Sequence, residues 1–156
     1  MQQKSTFFTG SILLLLGFGS CATLKQPTLE PTQREYISVD YNRFTSGTFV
    51  REFKNKYVKI EATFASQAAE ALPEGYSADR YVAFWAASRS GYGPESPKYL
   101  TVVVPKHTAD LVFELKHGEP VTLYGLAVPV ITTSRIGKTY EDLILEAQRV
   151  EQHRDK

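Results

Sequence analysis

The stretch Tyr57–Phe64 reads YVKIEATF, with Val58, Ile60, Ala62 and Phe64 alternating with Lys59, Glu61 and Thr63. Successive side chains of a strand point to opposite faces, so this period of two predicts a strand with one dry face and one wet face. Such a strand needs partners to cover its dry side, and the chain supplies four more. YVAFWAAS from Tyr81 predicts the second. KYLTVVVP, ending at Pro105, predicts the third, with Leu100, Val102 and Val104 on one face and Tyr99, Thr101 and Val103 on the other. EPVTLYGLAVPV from Glu119 predicts the fourth, with Gly125 placed for a bend or bulge. YEDLILEAQRVE from Tyr140 has a helical composition, yet Leu143, Leu145 and Ala147 alternate. It reads as a fifth strand because the earlier strands need a closing partner.

The other segments follow from their own chemistry. KHTADLVFELKHG predicts a short helix between the third and fourth strands, capped by Thr108 and carrying Asp110 at the positive end of its dipole. Leu111, Val112 and Leu115 form its apolar stripe, and Lys116-His117-Gly118 its ending. SQAAEALPEGYSADR, SRSGYGPESPK and ITTSRIGKT read as loops. Upstream, YISVDYNRF reads as a short strand or a docking arm. SGTFVREFKNK allows a helical turn capped by Ser46, with Phe49, Val50 and Phe53 on one side.

Three strands, a short helix and two further strands is the element order of a five-stranded OB-type barrel. In NKYVKIEATF, KYLTVVVP, ELKHG and EPVTLYGLAV running to LILEAQRV, the chain resembles bacterial OB-fold proteins, from about Lys54 to Val150. The resemblance implies a mainly β barrel with its helix between strands three and four. A small β-sandwich or another barrel fits the same elements. No activity follows from the fold.

The N-terminus carries an address. MQQKSTFFTG bears one positive charge, SILLLLGF is apolar, and small residues lead to the single cysteine, Cys21. That is the order of a secretory signal. Its apolar part is about a dozen residues, against about 20 for a membrane-spanning helix. Phe18-Gly19-Ser20-Cys21 resembles a bacterial lipobox, although Leu is usual where Phe18 stands. The resemblance implies cleavage between Ser20 and Cys21, a diacylglycerol (palmitate-type) thioether on the Cys21 sulfur, and a further acyl chain on the new amino terminus. Two or three chains make a lasting membrane anchor. The acylated thiol is then unavailable for a disulfide. Ala22, where Asp signals inner-membrane retention, implies the periplasmic face of the outer membrane in a Gram-negative cell. The expected organisation is a signal over residues 1–20, a proline-bearing tether over 21–35, a barrel domain over 36–152 and a polar tail over 153–156.

The residues offer little for catalysis. His107, His117 and His153 have no C-x-x-C, H-E-x-x-H or H-x-H context, so no metal and no cofactor is expected. SRSGYG lacks a G-x-S-x-G elbow, and Gly91 and Gly93 are not followed by a helix as a phosphate cradle would be. Glu114 with Glu119, or Glu141 with Asp142, are acid pairs of a kind common on wet surfaces. The chain is not expected to be an enzyme.

The aromatic residues are the lead. Tyr81 and Trp85 share one strand face, Phe84 takes the other, and Tyr92 and Tyr99 flank the next connection. OB barrels bind ligands on the face of strands two and three and on adjoining loops. Tyr81, Trp85, Tyr92 and Tyr99 are therefore candidate ligand-binding residues, with Arg80, Arg89, Lys98, Arg135 and Lys138 in or beside the loops. Phe84 is expected in the core. The net charge is +1, and from Cys21 onward bases and acids balance. Neutrality and an envelope address argue against nucleic acid as a partner. The expected function is an envelope-anchored, non-catalytic binding or scaffolding module for a protein or glycan. The alternatives are a glycan-active envelope enzyme, which would need two carboxylates facing one cleft, or an OB-type single-stranded nucleic-acid binder.

Overall fold

The computed structural model describes residues 34–90, 98–134 and 136–153. The signal, the lipobox and most of the tether lie outside them.

The strand β1 (Ile37–Val39) leads through helices α1 (Tyr41–Thr45) and α2 (Val50–Phe53) into β2 (Tyr57–Gln67). Then come β3 (Tyr81–Ala87), β4 (Leu100–Pro105), helix α3 (Asp110–Glu114), β5 (Pro120–Thr133) and β6 (Thr139–Gln152). The predicted strands one to five are β2 to β6.

The sheet order is β1-β2-β3-β4-β6-β5, and β2 also pairs with β5, which closes β2 to β6 into a ring. One strand can serve two neighbours because β2 is long and irregular. Residues Tyr57 to Thr63 pair with β5, and from Thr63 onward β2 pairs with β3, with a register shift between Phe64 and Ser66. A parallel pairing of β4 with β6, at Val102↔Leu145 and Val103↔Glu146, joins the remaining seam. A five-stranded ring with a short helix between its third and fourth strands is an OB-type barrel. β1 lies parallel to β2 at Val58 to Ile60, outside the ring.

The alternation in the sequence fills the interior. Val58, Ile60, Ala62, Phe84, Val102, Leu123 and Leu145 are fully buried. Each large aliphatic or aromatic side chain so placed contributes about 1.5–3 kcal/mol over leaving it in water. Gly125 sits at the register shift between β5 and β6. A side chain there would collide with the Glu146 carbonyl and lie 2.7 Å from Ala147 Cα, so only glycine lets the two backbones meet. The long pairing of Val121–Thr133 with Thr139–Gln152 makes the last segment a strand despite its helix-forming composition.

Several local expectations need correcting. The segment read as a loop, ITTSRIGKT, continues β5 through Thr133 and begins β6 at Thr139. β2 runs on to Gln67. The helix expected over Lys106–Gly118 divides into a 3-10 turn, Lys106–Thr108, and the five-residue α3. Thr108 does not cap it: its hydroxyl donates back to the Pro105 carbonyl at 3.0 Å. Ser46 likewise donates to Arg43 O and ends α1 rather than starting α2. Both hydroxyls found a carbonyl three residues behind them, the usual competitor of an N-cap. The cap the sequence carries is Asp40, whose carboxylate accepts the Arg43 N–H at 3.0 Å.

Tyr41 fastens α1 to the barrel. Its hydroxyl lies 2.7 Å from Ala86 O and 2.9 Å from Lys98 O, sharing its proton between them, and accepts the Leu100 N–H at 3.0 Å. Burial pushes this phenol well above the ordinary tyrosine range.

Candidate ligand-binding face

Alternation along β3 sends neighbouring aromatics to opposite fates. Phe84 points into the barrel, fully buried, with its ring centroid 5.4 Å from that of Phe64. Trp85 points outward and is 38% exposed. In the β3–β4 ladder Trp85 stands opposite Thr101, and Tyr99 lies just before β4. This register brings Tyr99, 41% exposed, beside Trp85, with ring centroids 6.0 Å apart and planes 27° from parallel. The result is a stacked, solvent-facing pair on the outer face of β3 and β4. Offset stacking of this kind is a favoured aromatic arrangement.

The nearby cations are engaged with acids. Lys98 Nζ lies 3.3 Å from Asp142, and Arg89 lies 2.7 Å from Glu61. Arg89 and Glu61 are both well exposed, so solvent and salt screen that pair and a ligand can compete for Arg89 at small cost, whereas the Asp142 partner of Lys98 is largely covered.

Tyr81 shares the face of Trp85 but not its stack. It lies at the far end of β3, edge-on to Tyr76 with centroids 5.0 Å apart. The Tyr76 hydroxyl donates to Glu146 at 2.7 Å. Burial first, then the neighbouring carboxylate, push the Tyr76 phenol upward. Tyr92 and Arg135 lie outside the described residues, as do Ser20 and Cys21. Of the four aromatic candidates, the fold joins Trp85 with Tyr99 and separates Tyr81.

The histidines do not converge. His117 Nδ1 lies 2.7 Å from Ala65 O, and His153 Nε2 lies 2.5 Å from the Thr122 hydroxyl. The carboxylates singled out as acid pairs have separate tasks. Glu119 accepts from the Lys116 amide and from Gln152, while Glu141 pairs with Lys54 at 2.7 Å.

A second aromatic surface escaped the sequence. Tyr36 is edge-on to both Tyr57 and Tyr124, with centroids 6.0 and 5.3 Å away. The Arg149 guanidinium lies 3.9 Å from the Tyr124 ring centroid, and Arg34 lies 4.7 Å from that of Tyr57. Outward-facing Tyr57 and Lys59 were visible in the alternation. Nothing in the sequence shows that Lys59 stands opposite Tyr124, or Tyr124 opposite Arg149, as the ladders place them.

No family model and no curated protein matches the chain. Similar solved structures include the crystal structure of a small single-stranded DNA-binding protein from Streptomyces coelicolor. It is 15% identical, covers 64% of this chain and 94% of its own, and has a TM-score of 0.46. The mitochondrial single-stranded DNA-binding protein Rim1 from S. cerevisiae is 14% identical over 66% of this chain and 99% of its own, also with a TM-score of 0.46. Likeness of this degree concerns the barrel alone. The expectation that disfavoured a nucleic-acid partner is corrected: both of these similar structures are of single-stranded DNA-binding proteins. Its physical weakness is plain: net charge is a whole-chain quantity, and base stacking requires no net charge.

Proposed function

We propose that this chain is a non-catalytic binding module whose Trp85–Tyr99 stack is a platform for the flat bases of a single nucleic-acid strand. The observation that supports the reading is the stacked pair itself, exposed on the barrel face where OB domains take such ligands. Every base offers a π-face, so stacking here would be tolerant of sequence. The slope of affinity against salt counts the phosphates that nearby cations neutralise, whatever the net charge of the chain.

Trp85 is the sole tryptophan, so its fluorescence reports this site directly. Titration with an unstructured oligonucleotide is expected to quench it. Tyr99→Ala is expected to weaken binding by about 5- to 150-fold, the range for losing one stacking contact. Unquenched Trp85 in low salt, with no retention of the oligonucleotide, would exclude a nucleic-acid ligand.

A second reading rests on the signal and lipobox. Here Cys21 is acylated, the domain is anchored in the cell envelope with the periplasmic face of the outer membrane favoured, and the same stack holds a sugar ring or a partner's side chain. Intact mass of membrane-extracted protein tests the anchor: a chain keeping residues 1–20, or a free Cys21 thiol, would end that proposal. Quenching of Trp85 by glycan but not by oligonucleotide would select this reading over the first.

A further inference from the structure

β2 leaves β3 early. Among the described residues, backbone pairing along this edge ends with the Ala68 amide donating to Ala83 O at 2.9 Å, after which the chain turns into the 3-10 segment Ala69–Ala71. Tyr81, Val82 and Ala83 keep β4 on one side, opposite Pro105, Val104 and Val103, but no strand on the other. The gap is a cleft of about 310 Å³ between the start of β3, α3 and the β2–β3 connection. Its walls are mainly apolar: Leu72, Tyr81, Val82, Val112 and Phe113. Phe113 is 56% exposed and extends the apolar wall out to the mouth of the cleft.

Lys106 is the one charged residue among those described as lining the cleft. The Lys106 amide donates to Arg80 O at 2.9 Å, so Arg80, which does not line the cleft, is its backbone neighbour at the β3–β4 end. The Arg80 guanidinium lies 5.8 Å from the Tyr81 ring centroid. Arg43, Lys54, Arg89, Lys98 and Arg149 all lie within ion-pair distance of a carboxylate. Among the described residues neither Arg80 nor Lys106 has such a partner. The volume is at the small end of the about 300–1,000 Å³ typical of small-molecule sites, which combine apolar walls with a few polar groups.

We infer that this cleft binds a small amphiphile, with an apolar body among Leu72, Tyr81, Val112 and Phe113 and a single anionic head held by Lys106, with Arg80 beside the Tyr81 ring adding to the positive field. A medium-chain carboxylate has this chemistry. The site is separate from the Trp85–Tyr99 platform and does not rest on its reading.

Calorimetric titration of the full chain with octanoate, octanol and octyltrimethylammonium tests it. Octanoate is expected to bind with unit stoichiometry, octanol more weakly and the cation weakest. Lys106→Glu is expected to weaken octanoate roughly fivefold, as for loss of a partly exposed ion pair, and to leave octanol unchanged. Ala78→Phe, which fills the cleft from an exposed position, is expected to abolish binding of both without changing the melting temperature. Should Lys106→Glu fold poorly, Lys106→Gln gives the same comparison. Equal binding of all three probes, octanoate binding undiminished in Ala78→Phe, or no heat at millimolar octanoate would overturn the inference. Loss of octanoate binding in Trp85→Ala with the cleft intact would move the ligand to the platform and overturn it equally.

Discussion

The barrel carries two aromatic surfaces that look alike in composition and differ in use. In the cluster of Tyr36, Tyr57 and Tyr124, rings meet edge to face and guanidinium groups cover them. The Tyr124 hydroxyl donates to Glu151 at 3.0 Å, and that of Tyr36 to Gln148 at 3.2 Å. This cluster uses its π-faces and polar ends on the chain itself, clamping the segment that leads into β1 against β2, β5 and β6. Trp85 and Tyr99 stack on one another and remain well exposed to water. The lesson is that an aromatic surface is read by what already occupies its ring faces, not by how many rings it holds.

The largest effect is expected from Gly125→Ala. Its new methyl group meets the backbone of Glu146 and Ala147, so the register that sets Tyr124 against Arg149 must shift. A loss of about 3 kcal/mol in denaturant unfolding is expected. The Trp85 emission of the folded variant should remain that of wild type, and a changed spectrum would show that the two surfaces are coupled.

Tyr124→Ala comes next, at about 2 kcal/mol, because it removes a ring contact, a cation–π contact and a hydrogen bond together. Trp85→Ala is expected to cost about 1 kcal/mol or less, since the ring already contacts solvent on one side. Urea midpoints compare the pair. Should Trp85→Ala prove the more destabilising, the platform is part of the core and the contrast collapses.

A pH titration sharpens the same contrast. Burial raises the phenols of Tyr36 and Tyr124, with the Glu151 carboxylate adding to the second. Below about pH 10, the ordinary tyrosine value, these phenols are neutral in both states and contribute no slope. Above it the unfolded chain ionises first, so the folded state binds more protons and stability falls as pH rises. Tyr124→Phe should reduce that alkaline loss. An unchanged alkaline limb would remove Tyr124 from the clamp. The smallest effect belongs to Arg149→Gln, about 0.5–1 kcal/mol from one exposed cation–π contact. A neutral result in a stability measurement would assign the hold on Tyr124 to its ring and hydroxyl contacts alone.

Much of this molecule was legible before any coordinates. Period-two alternation is a local property, because strand geometry fixes the direction of each side chain from its neighbours. It placed Val58, Ile60 and Phe84 on inward faces and Trp85 on the face opposite Phe84, leaving open whether Trp85 was buried, and its order of elements named the barrel. Gly125 was recognisable as a bend because glycine in a strand rarely has another purpose. Boundaries were less legible. Thr108 and Ser46 have the chemistry of helix caps, yet each hydroxyl also had a carbonyl within reach, and sequence cannot weigh the two.

What the tertiary structure alone decided is pairing. Residues 139–152 suit a helix by composition, and the long ladder to β5 made them a strand. The closure of β2 on β5, and of β4 on β6, joins segments dozens of residues apart. Their register is set by closing the ring, which no local period encodes. The β3–β4 ladder put Tyr99 against Trp85 and sent Tyr81 to a cleft at the other end of β3, while the pairings of β5 with β2 and β6 assembled Tyr57, Tyr124 and Arg149. The sequence determined which side chains alternate from face to face; only strand pairing decided which of them meet.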